Sequence, residues 1–244
     1  MIRFIIGGTF LVLVLLISYL IFPIEWLIGK INKRAKDYSS LRFVQWGFRV
    51  ILAIAGVKIT VKGKENILDE AALYVGNHRS FFDILLMYIQ CERLTGFVAK
   101  DSMEKIPSLR VWMRYLYCLF LDRKDIKKGM QTILKAIEYI KQGISICIFP
   151  EGTRNSGEEL SMLPFKEGSF KIALKTGCPI VPVAINNSAD IFENHIPKLR
   201  KTHVIMEYGK PIYPKDLSKE EQKVIGATCQ KIIQETINRN AELV

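Results

Sequence analysis

The sequence is poor in histidine and has no paired cysteines. Its 244 residues include three histidines and five cysteines, with no C-x-x-C pair and no His/Cys cluster, so a structural zinc site is not expected. The odd number and wide spacing of the cysteines argue against a disulfide framework and favour a reducing compartment. Neither G-x-x-x-x-G-K-[ST] nor G-x-G-x-x-G occurs, which excludes the common nucleotide-binding signatures.

Acidic residues are also in deficit. The chain has 35 Lys and Arg against 24 Asp and Glu, a formal net charge of +11, which favours an anionic partner. Residues 1–64 hold 10 basic and 2 acidic groups, whereas residues 65–244 hold 25 and 22. Because the excess lies in the N-terminal segment, it indicates anionic lipid. No basic recognition helix or aromatic-basic RNA motif supports binding to nucleic acid.

Long apolar runs stand at the start of the chain. The first covers residues 4–24 and is just long enough to cross a hydrocarbon core of about 30 Å. The second, over 41–59, is interrupted by polar residues and is typical of an interfacial helix. Basic residues follow the first run, and no small-x-small cleavage site does. We predict a membrane anchor over residues 1–56, as a hairpin in one leaflet or a single span, with the remainder on the cytoplasmic face of the cell membrane.

The remainder, residues 57–244, has the pattern of one α/β domain. Short β-branched runs alternate with helical patterns, which predicts an α/β fold with a largely parallel β-sheet flanked by helices. The predicted strands cover residues 57–62, 72–76, 96–99, 118–122, 145–149, 180–185 and 204–208. The predicted helices cover residues 81–90, 109–116, 127–141, 169–175 and 219–240. In such sheets, functional residues gather after the carboxyl ends of the strands.

The stretch N-H-R-S-F-F-D over residues 77–83 leads from a predicted strand into a predicted helix. Asp83 stands one turn into that helix, where its carboxylate can reach back to the imidazole of His78. A carboxylate on one ring nitrogen fixes the tautomer and makes the other nitrogen a better base. Ser80 and Asp83 also fit a helix capping box, S-x-x-[DE]. The residues alone leave both interpretations open.

Four further stretches carry charge or turns at the ends of predicted elements. C-I-F-P-E-G-T-R-N over 147–155 ends in an arginine, Arg154, whose planar guanidinium suits a phosphate or a carboxylate. Arg123 follows another strand, and P-F-K-E-G-S over 164–169 enters a helix whose N-terminus favours anions. P-I-V-P-V-A covers 179–184. Each of these alone is also typical of an ordinary turn, surface charge, helix entry or buried strand.

Taken in order, H-x4-D, an arginine, F-P-E-G-T-R, F-K-x-G and V-P-V resemble the glycerolipid acyltransferase family, most closely its bacterial 1-acyl-sn-glycerol-3-phosphate acyltransferases. The resemblance covers roughly residues 41–211. It implies a glycerol-3-phosphate acyltransferase-like fold. It also implies transfer of a fatty acyl group from acyl-CoA or acyl carrier protein to the 2-hydroxyl of lysophosphatidic acid, giving phosphatidic acid. Neither a cofactor nor a metal ion is expected, and the bilayer is the expected partner.

Roles are expected for nine residues, seven of them from the resemblance. His78 is the expected general base, and Asp83 is expected to orient it. The residues expected to bind substrate are Arg123, Glu151, Gly152, Thr153 and Arg154, with Lys100 and Lys166 adding positive charge nearby. Arg154 is expected to bind the phosphate, and Glu151 to contact glycerol or to position an arginine. Backbone N–H groups around Gly152 are candidates for an oxyanion hole.

Three other functions fit the same sequence. The acceptor could be another lysolipid, such as a lyso-ornithine lipid or a lysophospholipid. The chain could instead be a non-catalytic, membrane-anchored protein that binds anionic lipid, and such binding would not depend on His78. Hydrolysis of the thioester by water at His78 would be a side activity.

Overall fold

The computed structural model of the chain describes residues 1–122 and 125–244, and within them seven strands form one sheet. The strands are β1 (Lys58–Lys62), β2 (Leu73–Gly76), β3 (Thr95–Lys100), β4 (Leu119–Leu121), β5 (Ser145–Ile148), β6 (Ile180–Asn186) and β7 (His203–Tyr208). Their order across the sheet is β1-β7-β6-β2-β5-β3-β4. All seven predicted strands are present, each with ends within one or two residues of those expected.

The sheet is mostly parallel, which confirms the predicted class. Strands β6, β2, β5, β3 and β4 run in one direction. Strand β7 is antiparallel to β6, and β1 is parallel to β7. Since these five adjacent strands share a direction, their carboxyl ends lie along one edge of the sheet. The loops that follow β2, β5 and β6 therefore meet at this edge.

Helices cover both faces of the sheet. They are α1 (Ile2–Ile31), α2 (Lys33–Ala55), α3 (Phe82–Tyr88), α4 (Pro107–Tyr115), α5 (Ile126–Lys141), α6 (Lys171–Thr176), α7 (Lys219–Lys223) and α8 (Ile225–Asn240). The prediction of a single helix over 219–240 is wrong in one respect, because the helix is interrupted at Val224. There φ is −113° and ψ is 16°, so the capped first turn ends and α8 can turn Ile225 into the core.

Two apolar cores lie on opposite faces of the sheet because side chains alternate along each strand. On β2, Tyr74 points into the core that includes residues of α2 and α3. Leu73 and Val75 point into the core that includes residues of α5, α6 and α8. The sheet is thus buried on both faces, as expected for parallel strands.

Helices α1 and α2 pack against each other and reverse at Asn32, whose side chain accepts a hydrogen bond from the N–H of Ala35 at 3.0 Å. Among the described residues, α1 is the helix with the length and apolar composition to cross a membrane. It leaves large apolar side chains exposed along its length, among them Ile2, Leu20 and Ile31. An exposed apolar surface of this kind marks a contact with a membrane or another apolar partner.

Helix α2 also belongs to the core of the sheet. Leu41, Leu52 and Ala55 are almost fully buried there. The Gln45 side chain donates to the backbone carbonyl oxygen of Tyr88 at the end of α3, at 3.0 Å. The expected boundary after residue 56 coincides with the end of α2, and the division into an anchor and a domain stays a prediction.

Candidate active site

His78 and Asp83 meet at the carboxyl end of β2. The strand ends at Gly76, and the Nδ1 atom of His78 lies 2.9 Å from the Oδ2 atom of Asp83. The imidazole stacks on the ring of Phe149, with ring centroids 4.3 Å apart. Because a carboxylate accepts hydrogen bonds, it favours the tautomer of the neutral imidazole in which Nδ1 carries the proton and Nε2 is the acceptor. Among the described residues, none hydrogen bonds to Nε2.

The same oxygen of Asp83 also caps the loop. Oδ2 accepts the backbone N–H groups of Arg79 and Ser80, each at 2.8 Å, and the side chain is fully buried. The predicted capping box is only half formed. The Ser80 hydroxyl accepts the N–H of Phe82 at 3.0 Å instead of that of Asp83, and α3 begins at Phe82. Asp83 therefore both orients the imidazole and fixes the loop that carries it.

No nucleophile is paired with His78 among the residues that the structure describes. The hydroxyl of Ser80 donates to Glu193 at 2.6 Å. Cys147, on the adjacent strand β5, is buried, and burial raises the pKa of its thiol well above the ordinary value. A protonated thiol is a weak nucleophile. The described residues therefore provide a general base with no nucleophilic side chain for it to activate.

Glu151 joins two loops of the site. Its Oε1 atom accepts the backbone N–H of His78 at 2.7 Å, and Oε2 accepts that of Leu163 at 2.8 Å. Burial raises the pKa of Glu151 above its ordinary value, and the two backbone bonds lower it in part. Arg154 pairs with Glu193, and the expected roles of Glu151, in contacting glycerol or positioning an arginine, stay predictions. Glu151 holds the histidine loop in place.

Gly152 forms a tight turn with φ of +73°, a left-handed conformation that favours glycine. Its N–H donates to the carbonyl oxygen of Phe149 at 3.0 Å, so this N–H is not free to serve an oxyanion hole as expected. The side chain of Lys166 packs across the turn. A Cβ atom at position 152 would lie 2.6 Å from its Nζ atom. The turn thus brings the Lys166 ammonium to the site.

Arg154 lies over the ring of Phe81, with its guanidinium carbon 3.5 Å from the ring centroid. Its Nη1 atom donates to Oε1 of Glu193 at 3.0 Å. Thr153 beside it is exposed. The arginine is therefore held against the same loop that carries His78.

Lys100 and Arg123 are the two remaining predicted cations. Lys100 is the exposed last residue of β3, at the carboxyl edge of the sheet. Arg123 lies outside the described residues, so its expected role stays a prediction. A cleft at this edge has Lys166 in its wall, together with Val98, Ala99, Leu121, Ile148, Phe149, Pro150, Gly152 and Ser169.

Three further residues of the site have no role predicted from the sequence. Phe149 stacks on the histidine, and Arg79 donates to the carbonyl oxygens of Gly157 and Glu158 in the loop after β5. Glu193 follows β6 and lies more than 100 residues from the loop it contacts. The position of Phe149 directly before P-E-G-T-R could have indicated the first. Only the strand order brings Glu193 to the site.

The described residues contain no group of three or more His, Cys, Asp or Glu side chains arranged to hold a metal ion. The expectation of chemistry without a metal or a cofactor stays a prediction. The side chains that do converge are a base, its carboxylate, an arginine and a lysine. They suit proton transfer on a substrate that carries negative charge.

The fold and the site together define an α/β protein with a histidine–aspartate pair at the carboxyl edge of its sheet and an apolar helical hairpin at its start. The family model described as Acyltransferase matches residues 58–186, which is more than half of the chain. The chain therefore belongs to the acyltransferase family. The matched range contains His78, Asp83 and Arg154. The resemblance seen in the motifs is confirmed.

Named relatives agree with this assignment. The chain is 29% identical over 197 residues to the 1-acyl-sn-glycerol-3-phosphate acyltransferase of Saccharomyces cerevisiae, covering 80% of this chain and 64% of that protein. It is 36% identical over 149 residues to the protein of the same name from Borreliella burgdorferi, covering 61% of this chain and 59% of that protein. The match thus spans less than two thirds of either relative's length.

A solved structure extends the likeness to the fold. The 1-acyl-sn-glycerophosphate (LPA) acyltransferase PlsC of Thermotoga maritima superposes with a TM-score of 0.74 at 26% sequence identity. The match covers 93% of this chain and 95% of that one. It therefore includes most of the N-terminal hairpin as well as the sheet.

Proposed function

We propose that the chain transfers a fatty acyl group from an acyl thioester to the sn-2 hydroxyl of 1-acyl-glycerol-3-phosphate, giving phosphatidic acid. The observation that carries this proposal is the imidazole of His78, held through Nδ1 by Asp83 and lying next to the loop that holds Arg154, with no hydrogen bond to Nε2 from the described residues. The names of the relatives give the same acyl acceptor for those proteins.

In the proposed step, Nε2 of His78 accepts the proton of the acceptor hydroxyl while the hydroxyl oxygen attacks the thioester carbonyl carbon. The carbon–sulfur bond then breaks, and the leaving thiolate takes the proton back from the imidazolium. Asp83 stabilises the imidazolium, as a buried carboxylate does in a catalytic triad. Because a thioester is already activated, one positioned base suffices and no acyl-enzyme forms.

Cations recognise the phosphate of the acceptor in this proposal. Arg154 keeps Nη2 and Nε without a hydrogen-bond partner among the described residues, and a guanidinium binds phosphate oxygens through such pairs of donors. Lys166, packed on Gly152, adds a point charge at the same turn. Lys100 stands at the same edge of the sheet. The contribution of Arg123 rests on the motif alone.

The acyl donor is a coenzyme A or acyl carrier protein thioester. Both donors are anionic, and the basic N-terminal segment attracts either. Neither requires a bound cofactor, because each is consumed as a substrate.

The lipid substrates require contact with a bilayer, and the exposed apolar side chains of α1 supply it. Contacts in the middle of α1 support entry into one leaflet over a free span. Ser108 Oγ donates to the carbonyl oxygen of Leu15 at 2.9 Å, and Trp112 Nε1 donates to Ser18 Oγ at 2.7 Å. These bonds hold the helix against α4. Basic residues near the hairpin turn and five free cysteines favour the cytoplasmic face.

Product analysis on detergent-solubilised protein tests the proposal. The protein is mixed with lysophosphatidic acid, a lyso-ornithine lipid and a neutral lysophospholipid at equal concentration, with acyl-CoA and acyl carrier protein donors in parallel. We expect phosphatidic acid as the main product with at least one donor. A preference for another lysolipid would contradict the acceptor assignment. Binding of anionic lipid with no acyl product would support the non-catalytic alternative.

A further inference from the structure

Glu193 makes three polar contacts that join separate parts of the site. Its Oε2 atom accepts the hydroxyl of Ser80 at 2.6 Å, and Oε1 accepts the backbone N–H of Phe81 at 2.8 Å. The same Oε1 accepts Nη1 of Arg154 at 3.0 Å. Two of these partners belong to the loop between His78 and α3, and the third is the arginine proposed for the phosphate.

Arg154 is consequently held from two directions. Glu193 binds one of its nitrogens, and the ring of Phe81 lies 3.5 Å from its guanidinium carbon. Phe81 in turn is fixed by its own backbone bond to Glu193. The arginine side chain is 36% exposed, so without these contacts it would sample many rotamers in solvent. The contacts hold the guanidinium against the loop that carries His78.

The segment that carries Glu193 is itself anchored on both sides. Ile191 is fully buried, and its carbonyl oxygen accepts the N–H of Arg200 at 3.0 Å. Phe192 stacks on Phe4 of α1, with ring centroids 5.5 Å apart and an interplanar angle of 10°. The Glu193 carboxylate is only 15% exposed. Glu193 is thus held in place between the apolar hairpin and the loop that carries His78.

We infer that Glu193 is a positioning residue that holds Arg154 at the right place to bind the acceptor phosphate. This inference rests on the proposed function, in which Arg154 recognises that phosphate. A carboxylate next to an arginine could have the opposite effect and compete with the phosphate for the guanidinium. The bonds of Glu193 to Ser80 and Phe81 favour positioning, because a mere competitor for the guanidinium has no need to be tied to the catalytic loop.

Steady-state kinetics of Glu193→Ala and Glu193→Gln test the inference. Loss of the carboxylate should raise KM for lysophosphatidic acid about tenfold, the size expected when a charge-assisted contact is lost, and leave KM for the thioester nearly unchanged. The Gln variant should fall between wild type and Ala, since its amide oxygen still accepts a hydrogen bond. Glu104→Ala is the matched control, because Glu104 pairs with Arg114 on the surface.

A double-mutant cycle shows whether Glu193 acts through Arg154. In an Arg154→Ala background, Glu193→Ala should raise KM for the acceptor no further, since coupled residues are not additive. Additive effects, an equal rise in both KM values, or a lower KM in Glu193→Ala would each overturn the inference. If wild type forms no phosphatidic acid, the proposed function itself fails, a result distinct from an inert Glu193.

Hydrogen exchange checks the structural half independently of turnover. The Phe81 amide should exchange faster in Glu193→Ala than in wild type or Glu104→Ala, because its acceptor is gone. Unchanged exchange across residues 78–83 would contradict a positioning role.

Discussion

The molecule contains two histidine–aspartate pairs of similar geometry. In one, His78 Nδ1 lies 2.9 Å from Asp83, and in the other, His195 Nε2 lies 3.1 Å from Asp190. The partners stand five positions apart in the chain in both pairs. Residue types, spacing and distance therefore do not distinguish a candidate catalytic pair from an ordinary one.

The surroundings of the two carboxylates differ. Asp83 is fully buried, and two backbone N–H groups hold the oxygen that also binds His78. Asp190 is 41% exposed, and its other contact is the amide of Asn194 at 3.3 Å. A bond shielded from water is electrostatically stronger than one that water competes for. Burial and the two backbone hydrogen bonds therefore hold the first pair in one geometry.

The free ring nitrogen differs as well. Among the described residues, none hydrogen bonds to Nε2 of His78, the ring nitrogen remote from the backbone, whereas the second pair uses Nε2 of His195 and leaves Nδ1. An atom far from its own backbone is the more accessible one to a bulky lipid. The two pairs therefore differ in which ring nitrogen remains available to a substrate and in how rigidly the carboxylate holds the ring.

Neutralising each carboxylate in turn should give the largest difference between the two pairs. Asp83→Asn should lower kcat about 10²–10⁴-fold, the range of a lost general base, because the imidazole loses its tautomer and orientation. Asp190→Asn should leave kcat nearly unchanged. The measurement is the initial rate of phosphatidic acid formation at saturating substrates. Equal losses in the two variants would mean that burial and clamping do not matter.

Removing the arginine beside the first pair should have the next largest effect. Arg154→Ala should raise KM for lysophosphatidic acid about 10–100-fold, the value of a charged hydrogen-bonded contact, with less effect on KM for the thioester. Arg114→Ala removes a surface arginine that is 62% exposed and serves as the control. A similar rise in both KM values would remove Arg154 from the phosphate role.

A smaller effect separates the two roles of Asp83. Ser80→Ala should cost about 1 kcal/mol of unfolding free energy, because the N–H of Phe82 loses its acceptor, with a modest loss of rate. Asp83→Asn should harm the rate far more than the stability. Thermal unfolding and kcat of both variants give the comparison. Parallel losses of melting temperature and activity in the two variants would favour capping as the main role of Asp83.

The smallest predicted effect concerns the other clamped carboxylate, Glu151. Its pKa is raised by burial, so the folded chain binds this proton more tightly than the unfolded chain does. The free energy of unfolding should therefore rise as the pH falls through the raised value, and the gain should be complete below the ordinary value of 4.5.

Glu151→Gln should lack this gain. Denaturant titrations of wild type and variant, from neutral pH to below 4.5, measure the difference between their unfolding free energies. A difference that stays constant with pH would show that burial does not perturb Glu151.

Much of the fold could be predicted because local patterns and topology agree. Short apolar runs in the sequence indicate buried parallel strands. Their alternation with helices predicts that the strands run in the same direction. The break at Val224 could not be predicted, because it depends on how Ile225 reaches the core. The packing of α2 against the sheet could not be predicted either, since an apolar helix face is equally suited to a membrane surface.

The site could be predicted only in part. His78 and Asp83 lie within one loop, so their spacing alone indicates the contact. The hold of Glu151 on the histidine loop could not be predicted, because its partners are backbone N–H groups, which leave no trace in side-chain motifs. Glu193 was missed because only the packing of β6 beside β2 brings it to Ser80 and Phe81.

The most direct test of the account is acyl transfer by His78→Ala beside His195→Ala, with circular dichroism to show that both variants are folded. The account predicts that His78→Ala forms no phosphatidic acid above the uncatalysed background, while His195→Ala keeps the wild-type rate. Turnover by folded His78→Ala at a rate comparable to His195→Ala would contradict the assignment of His78 as the general base.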